Sequence, residues 1–165
     1  DQKKCQHPRG ETGDPGSVLR IAHKQGVVMF RKIMAPIDLA HADKIEKALD
    51  AAADAAKHYG AELIYVGVTT ALPGTVAHNP SEYEQKLAAF AETSGAEHGV
   101  STGHKSYVSH DPASDLDATL MKAIDELGID LVVMASHIPN LQDYIWPSNG
   151  GKLAAHAKCS VFIVR

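Results

Sequence analysis

Apolar positions along this chain switch between two periods, and the switches mark out its elements. Phe30 to Asp38, FRKIMAPID, reads as a first strand, closed by a proline and an acidic residue where the chain leaves a sheet. Ile45, Ala48, Leu49, Ala52, Ala56 and Tyr59 then recur at helical spacing, and Gly60 stops that helix. Ala61 to Thr69, AELIYVGVT, is a second strand, and Thr70 to Pro80 is a loop rich in turn formers. A second helix follows, with Ser81 as its cap and Tyr83, Leu87, Phe90 and Ala91 on one face; it fades between Gly95 and Gly99. A short strand near His104 to Ser109 alternates instead of running fully apolar, which places it at a sheet edge. Asp111 then Pro112 opens a third helix, with Leu116, Leu120, Ala123, Ile124 and Leu127 inward and Gly128 as its stop.

The last third carries the candidate chemistry. Leu131 to Met134 is an apolar run too short for an ordinary helix and suited to a strand buried on both faces. A long loop leads to Ser148 and Asn149, which can cap a short helix through Lys152, Leu153 and His156, and Val161 to Val164 make a final strand. Strict alternation of strand and helix predicts an α/β fold: a single open five-stranded parallel sheet with right-handed crossovers and helices on both faces. With the third strand at an edge, the expected order is 3-2-1-4-5. That order reverses between the first and fourth strands, so the loops after Asp38 and after Ala135 face each other across the crevice where such sheets bind ligands. A helix N-terminus at the same crevice adds free N–H groups and the positive end of a dipole, a natural phosphate site.

Composition narrows the field of functions. The chain has 165 residues, enough for one domain, with 44% hydrophobic and 22% charged residues and a net charge of −4. Its 16 Lys+Arg against 20 Asp+Glu, with no basic run, give nucleic acid no electrostatic foothold. Cys5 and Cys159 form no CxxC pair, so a reducing cytoplasm is expected, and no stretch is apolar enough for a membrane span. Among the ten histidines, His104 and His110 lack companions for a metal ligand set and read as solvated or capping side chains. Residues 1–28 hold glycines, prolines and scattered charges without period, and read as a disordered tail or an extension ahead of a domain spanning 29–165.

From Met29 to Arg165 the chain resembles the universal stress proteins, small α/β domains many of which bind ATP. The resemblance rests on APID at the first strand, SHDPASD before the third helix, and MASH…SNGGKLAAHAKCSVFIVR at the end, in that order and spacing. The wording ASHIPN…SN…HAKCSVFIVR is most similar to the F/G branch of that family. The resemblance implies a Rossmann-like sheet of the adenine nucleotide alpha hydrolase-like kind, and ATP, with or without Mg2+, at the crevice. It implies contacts from Pro36, Ile37, Asp38 and Val66 to adenine and ribose, and from Ala135, Ser136, His137, Ile138, Ser148 and Asn149 along the last loop.

Each position has a plainer reading as well. Asp38 could cap the first helix region, Ile37 and Val66 could be core, and Ser148 could be a helix cap alone. His137 and Asn140 could be solvated loop residues. The family's glycine motif, Gly-x-x-Gly with a later Gly-Ser/Thr, falls on Ala135, Ile138 and Pro147, with only Ser148 kept and with eight residues between Ile138 and Pro147 where the motif has nine. A β-branched Ile138 resists positive φ, and Pro147 has no N–H to offer a phosphate.

Asn149-Gly150-Gly151-Lys152 fails as a Walker loop because Trp146 and Leu153 stand where Gly and Ser/Thr belong. No G-x-S-x-G elbow and no G-x-G-x-x-G after the first strand are present, so no dedicated enzyme is expected, at most a weak ATPase. Two functions of different class follow: an adenine-nucleotide-binding stress regulator, or a dimeric interaction module with a degenerate ATP site. Either is expected to form a homodimer through the edge strand Ser160 to Arg165, as family members do, and to reside in the cytoplasm.

Overall fold

Asp130 fixes where the sheet begins. In this computed structural model, which describes residues 28–136 and 149–165, its carboxylate accepts the Arg31 N–H at 2.8 Å and the Lys32 N–H at 3.2 Å. The first strand, β1, therefore starts at Lys32 and runs to Ile37, two residues shorter at its start than the sequence suggests. Phe30 lies ahead of the strand and packs edge-on against Tyr59, ring centroids 4.9 Å apart.

The remaining elements are α1 (Glu46–Tyr59), β2 (Glu62–Thr69), α2 (Pro80–His98), β3 (Thr102–Val108), α3 (Pro112–Leu127), β4 (Leu131–Ala135), α4 (Asn149–His156) and β5 (Ser160–Val164). A 3-10 turn at Ala42–Lys44, unforeseen in the sequence, precedes α1. The strands form one five-stranded sheet in the order β3-β2-β1-β4-β5, parallel throughout. The α/β fold, the order and the edge position of β3 are those expected. Helices α1 and α2 pack together on one face of the sheet, and α3 with α4 on the other. Pleating sorts the side chains accordingly. Tyr65 of β2 meets Phe90 edge-on and pairs with the Ser94 hydroxyl of α2 at 2.7 Å, whereas Tyr107 of β3 reaches Glu126 of α3.

The helix stripes are buried as their spacing predicts. Ala48, Leu49, Ala52 and Ala56 of α1 face the sheet, and Leu116, Leu120, Ala123 and Ile124 of α3 line the opposite layer. Leu87 and Leu120 have no exposed surface, and cutting such a residue to alanine typically costs about 2–5 kcal/mol.

Two details of α2 correct the sequence reading. Its cap is Asn79, not Ser81: the Asn79 side chain accepts the Glu82 N–H at 2.9 Å, and Pro80 fills the first helical position, where a missing N–H costs nothing. Nor does the helix fade at Gly95; it continues to His98 and ends on Gly99 in the left-handed conformation. Gly95 has a packing role instead. A Cβ there would lie 2.5 Å from Thr102 Oγ1, so the bare glycine lets the start of β3 settle against the helix, where the Thr102 hydroxyl donates to Ala91 O at 2.8 Å.

Candidate functional site

The sheet parts where its order reverses. β1 pairs with β2 along its whole length, from Lys32–Glu62 to Ile37–Gly67, but with β4 only at Ile33–Leu131 and Met34–Val132. Beyond those pairs β4 stays with β5: Ala135 is in register with Val164, and the Ser136 N–H donates to Val164 O at 2.8 Å. A gap thus opens between the carboxyl ends of β1 and β4, with Asp38 on one bank and Ala135 and Ser136 on the other.

Asp38 is tightly engaged on its bank. One carboxylate oxygen accepts the Ala40 N–H at 3.0 Å, and the other lies 2.8 Å from His41 Nδ1. Its carbonyl accepts the His41 N–H at 3.0 Å. The Asp38 side chain is 18% exposed, enough to reach a ligand while mostly shielded from water. Asp38 therefore caps its own turn and not the first helix, whose N-cap is Ile45, and lone pairs beyond these bonds can still accept from a ligand.

Tyr83, from the first turn of α2, closes this bank from the side. It lies over Gly67 at the end of β2, where a Cβ would sit 2.5 Å from the Tyr83 oxygen. Burial pushes the Tyr83 phenol far above its ordinary value; the negative charge of Asp38 adds to the rise and a backbone hydrogen bond with Leu39 opposes it. The hydroxyl thus stays neutral beside the carboxylate. Sequence reading placed Tyr83 on the core face of α2 but missed this role. The available signal was Gly67, a lone glycine inside an apolar strand, which often marks a close approach.

The other predicted residues separate into three groups. Pro36, Ile37 and Val66 are buried, with Ile37 1% and Val66 0% exposed, so core is the reading their burial supports. Ala135 and Ser136 are half-buried at the β4 exit. His137, Ile138 and Ser148, with Asn140 and Pro147, lie outside the described residues, and of Asn149 only its place at the start of α4 is described. What the described residues supply at the strand exit is an anchored carboxylate, able to accept from hydroxyl or amino groups.

An open parallel sheet with its reversal beside an acidic strand exit defines a doubly wound α/β protein of the kind that binds ligands at that reversal. The chain belongs to the universal stress protein family, whose description matches residues 29–165. Among solved structures it is similar to a universal stress protein family member from Burkholderia pseudomallei at 24% identity, over 82% of this chain and 96% of that one, with a TM-score of 0.60. It is also similar to the universal stress protein from Archaeoglobus fulgidus in complex with dAMP, at 16% identity over 83% and 99% of the two chains, TM-score 0.54. A third is a family protein from Arabidopsis thaliana with AMP bound, at 13% identity over 81% and 90%, TM-score 0.51. At these identities the likeness establishes the fold. Among the described residues no helix is long and apolar enough to cross a membrane.

Proposed function

We propose that this protein binds an adenine nucleotide, ATP in the first instance, between the carboxyl ends of β1 and β4, and works as a stress-response regulator and not as an enzyme. The observation that carries the reading is Asp38: a mostly shielded carboxylate, fixed at the strand exit beside the gap in the sheet. Relatives of the same fold described with dAMP and AMP lend it support. In this reading Asp38 accepts from the ribose or the adenine amine, and N–H groups at the start of α4 face the phosphates. A helix N-terminus supplies only about 0.3–1 kcal/mol toward an exposed anion, so the nucleoside end carries most of the affinity.

Calorimetric titration of ATP, AMP and GTP into nucleotide-stripped protein, with and without magnesium, tests this. Micromolar, adenine-selective binding that is lost in Asp38→Ala is expected. No heat and no thermal stabilisation at millimolar ATP would favour a second reading, a dimeric interaction module with a vestigial site. The substitution of the family's glycines by Ala135, Ile138 and Pro147 is what favours that alternative.

The homodimer and the cytoplasmic setting belong to the same proposal. β5 is an edge strand, and Phe162 on it is 52% exposed beside a cavity of about 540 Å³ lined by Phe30, Tyr59 and Leu131. Antiparallel pairing of two β5 strands covers that edge. Sedimentation should show a dimer at micromolar concentration, weakened by Ile163→Pro: Ser160 N–H and Val164 O bond inward to Asp130 and Ser136, so the alternate residue Ile163 presents its N–H to the free edge of β5. A monomer in the unaltered protein overturns the arrangement.

A further inference from the structure

We infer that His41 is the positioning residue of the nucleotide site, holding the Asp38 carboxylate in the orientation a ligand meets. This rests on the reading that the crevice binds a nucleotide. His41 touches Asp38 twice, through its ring at 2.8 Å and through its backbone N–H, which donates to the Asp38 carbonyl at 3.0 Å. With Ala40 N–H on the other oxygen, both carboxylate oxygens are held by the turn that follows β1. An aspartate alone at a strand exit would sample several rotamers, and a ligand would bear the cost of ordering it. Here the chain has ordered it beforehand.

The neighbours leave the pair intact. Tyr83 stands beside Asp38 as a neutral phenol, and its ring lies against Gly67. Lys44, the next cation along the turn, pairs with Asp43 at 3.1 Å. A neutral His41 can donate to a carboxylate only if its Nδ1 carries the proton, so the contact also selects one tautomer of the ring. That selection is observable without any nucleotide.

Two measurements on the full chain test the inference. Ring nitrogen NMR of neutral His41 should show the Nδ1–H tautomer in the unaltered protein and its loss in Asp38→Ala. An unchanged ring spectrum overturns the pairing. ATP titrations then compare His41→Ala with His41→Asn, whose amide N–H can take the place of Nδ1–H. His41→Ala should bind about tenfold more weakly, about 1.4 kcal/mol, with its melting temperature retained, and His41→Asn should recover most of the loss. Equal affinity in His41→Ala, or no recovery in His41→Asn, overturns the positioning role. An unaltered protein that binds no ATP overturns the nucleotide reading and this role with it; the ring spectrum then still reports whether the pair exists as a clamp on the turn.

Discussion

The two banks of the crevice are built differently. On the β1 bank, Asp38 is bonded to its own turn, His41 holds it from one side, and Tyr83 stands beside it over Gly67. On the β4 bank, the strand exit is tied outward to β5 through Ser136 N–H and Val164 O, and Ala135 stands where the family's motif has glycine. One bank is anchored by Asp38 and His41 in the turn after β1 and by Tyr83 of α2 lying over Gly67; the strand exit on the other is tied outward to β5. The difference teaches that, in the nucleotide-binding reading proposed above, recognition would concentrate at the nucleoside end, while the phosphate end would depend on a loop in which Ala135, Ile138 and Pro147 replace the family's glycines.

The sharpest way to break that asymmetry is Gly67→Val. Its new Cβ would lie 2.5 Å from the Tyr83 oxygen and 2.8 Å from Cε1, and Tyr83, only 4% exposed, has little space to move into. Overpacking of this kind costs about 1–3 kcal/mol, so a clear drop in denaturant midpoint is expected; an unchanged midpoint would mean the Tyr83 contact is not rigid. Tyr83→Phe keeps the ring and removes only the hydroxyl at Leu39. Loss of one buried hydrogen bond should cost about 1 kcal/mol, and an unfolding curve that overlays the parent's would remove Tyr83 from the anchored bank. On the opposite bank, Ser136→Ala leaves the backbone bond to Val164 intact and should change stability by less than about 0.5 kcal/mol. A larger loss would show that the β4 bank is more firmly built than its bonds suggest.

The smallest effect concerns the start of α2, the segment that delivers Tyr83. Lys86 first, and then the His78 N–H and ring, hold the partly exposed Glu82 carboxyl down to about 2, from an ordinary value of 4.5. A carboxyl depressed in the folded state contributes stability above its ordinary value and loses it as pH falls from 4.5 toward about 2. Glu82→Gln should therefore be slightly less stable than the parent near neutrality, and the gap should close across that acid range. A gap that persists in acid would assign the effect to packing instead.

Much of the fold was legible because its signals are local and repeated. The alternation of β-rich runs with helical stripes, the Asp111-Pro112 start of α3 and the glycine stops at Gly60 and Gly128 all fall where the sequence put them. The misreadings came from residues whose meaning depends on a distant partner. Gly95 reads as a helix breaker until Thr102 is seen against it. Ser81 reads as a cap until Pro80 is given the first helical position, which moves the cap back to Asn79. At the site, Asp38 was legible from its place at a strand exit. His41 was not, because a histidine in a polar turn has no period to betray it. Tyr83 was visible as an apolar anchor, but its hydroxyl end depends on how α2 crosses the sheet, and no local pattern encodes that crossing.

The pair between the Tyr65 and Ser94 hydroxyls constrains how this sequence can drift. Both residues are buried, their oxygens 2.7 Å apart, and the Ser94 hydroxyl also lies 3.4 Å from His98 Nδ1. Losing the Ser94 hydroxyl first strands that of Tyr65, whereas losing the Tyr65 hydroxyl first leaves Ser94 its contact with His98. The order of change therefore matters: the neighbouring sequence, phenylalanine with alanine, lies two substitutions away, and the path that alters Ser94 first passes through the less stable ancestor. Lineages should carry a serine beside phenylalanine more often than a tyrosine beside alanine.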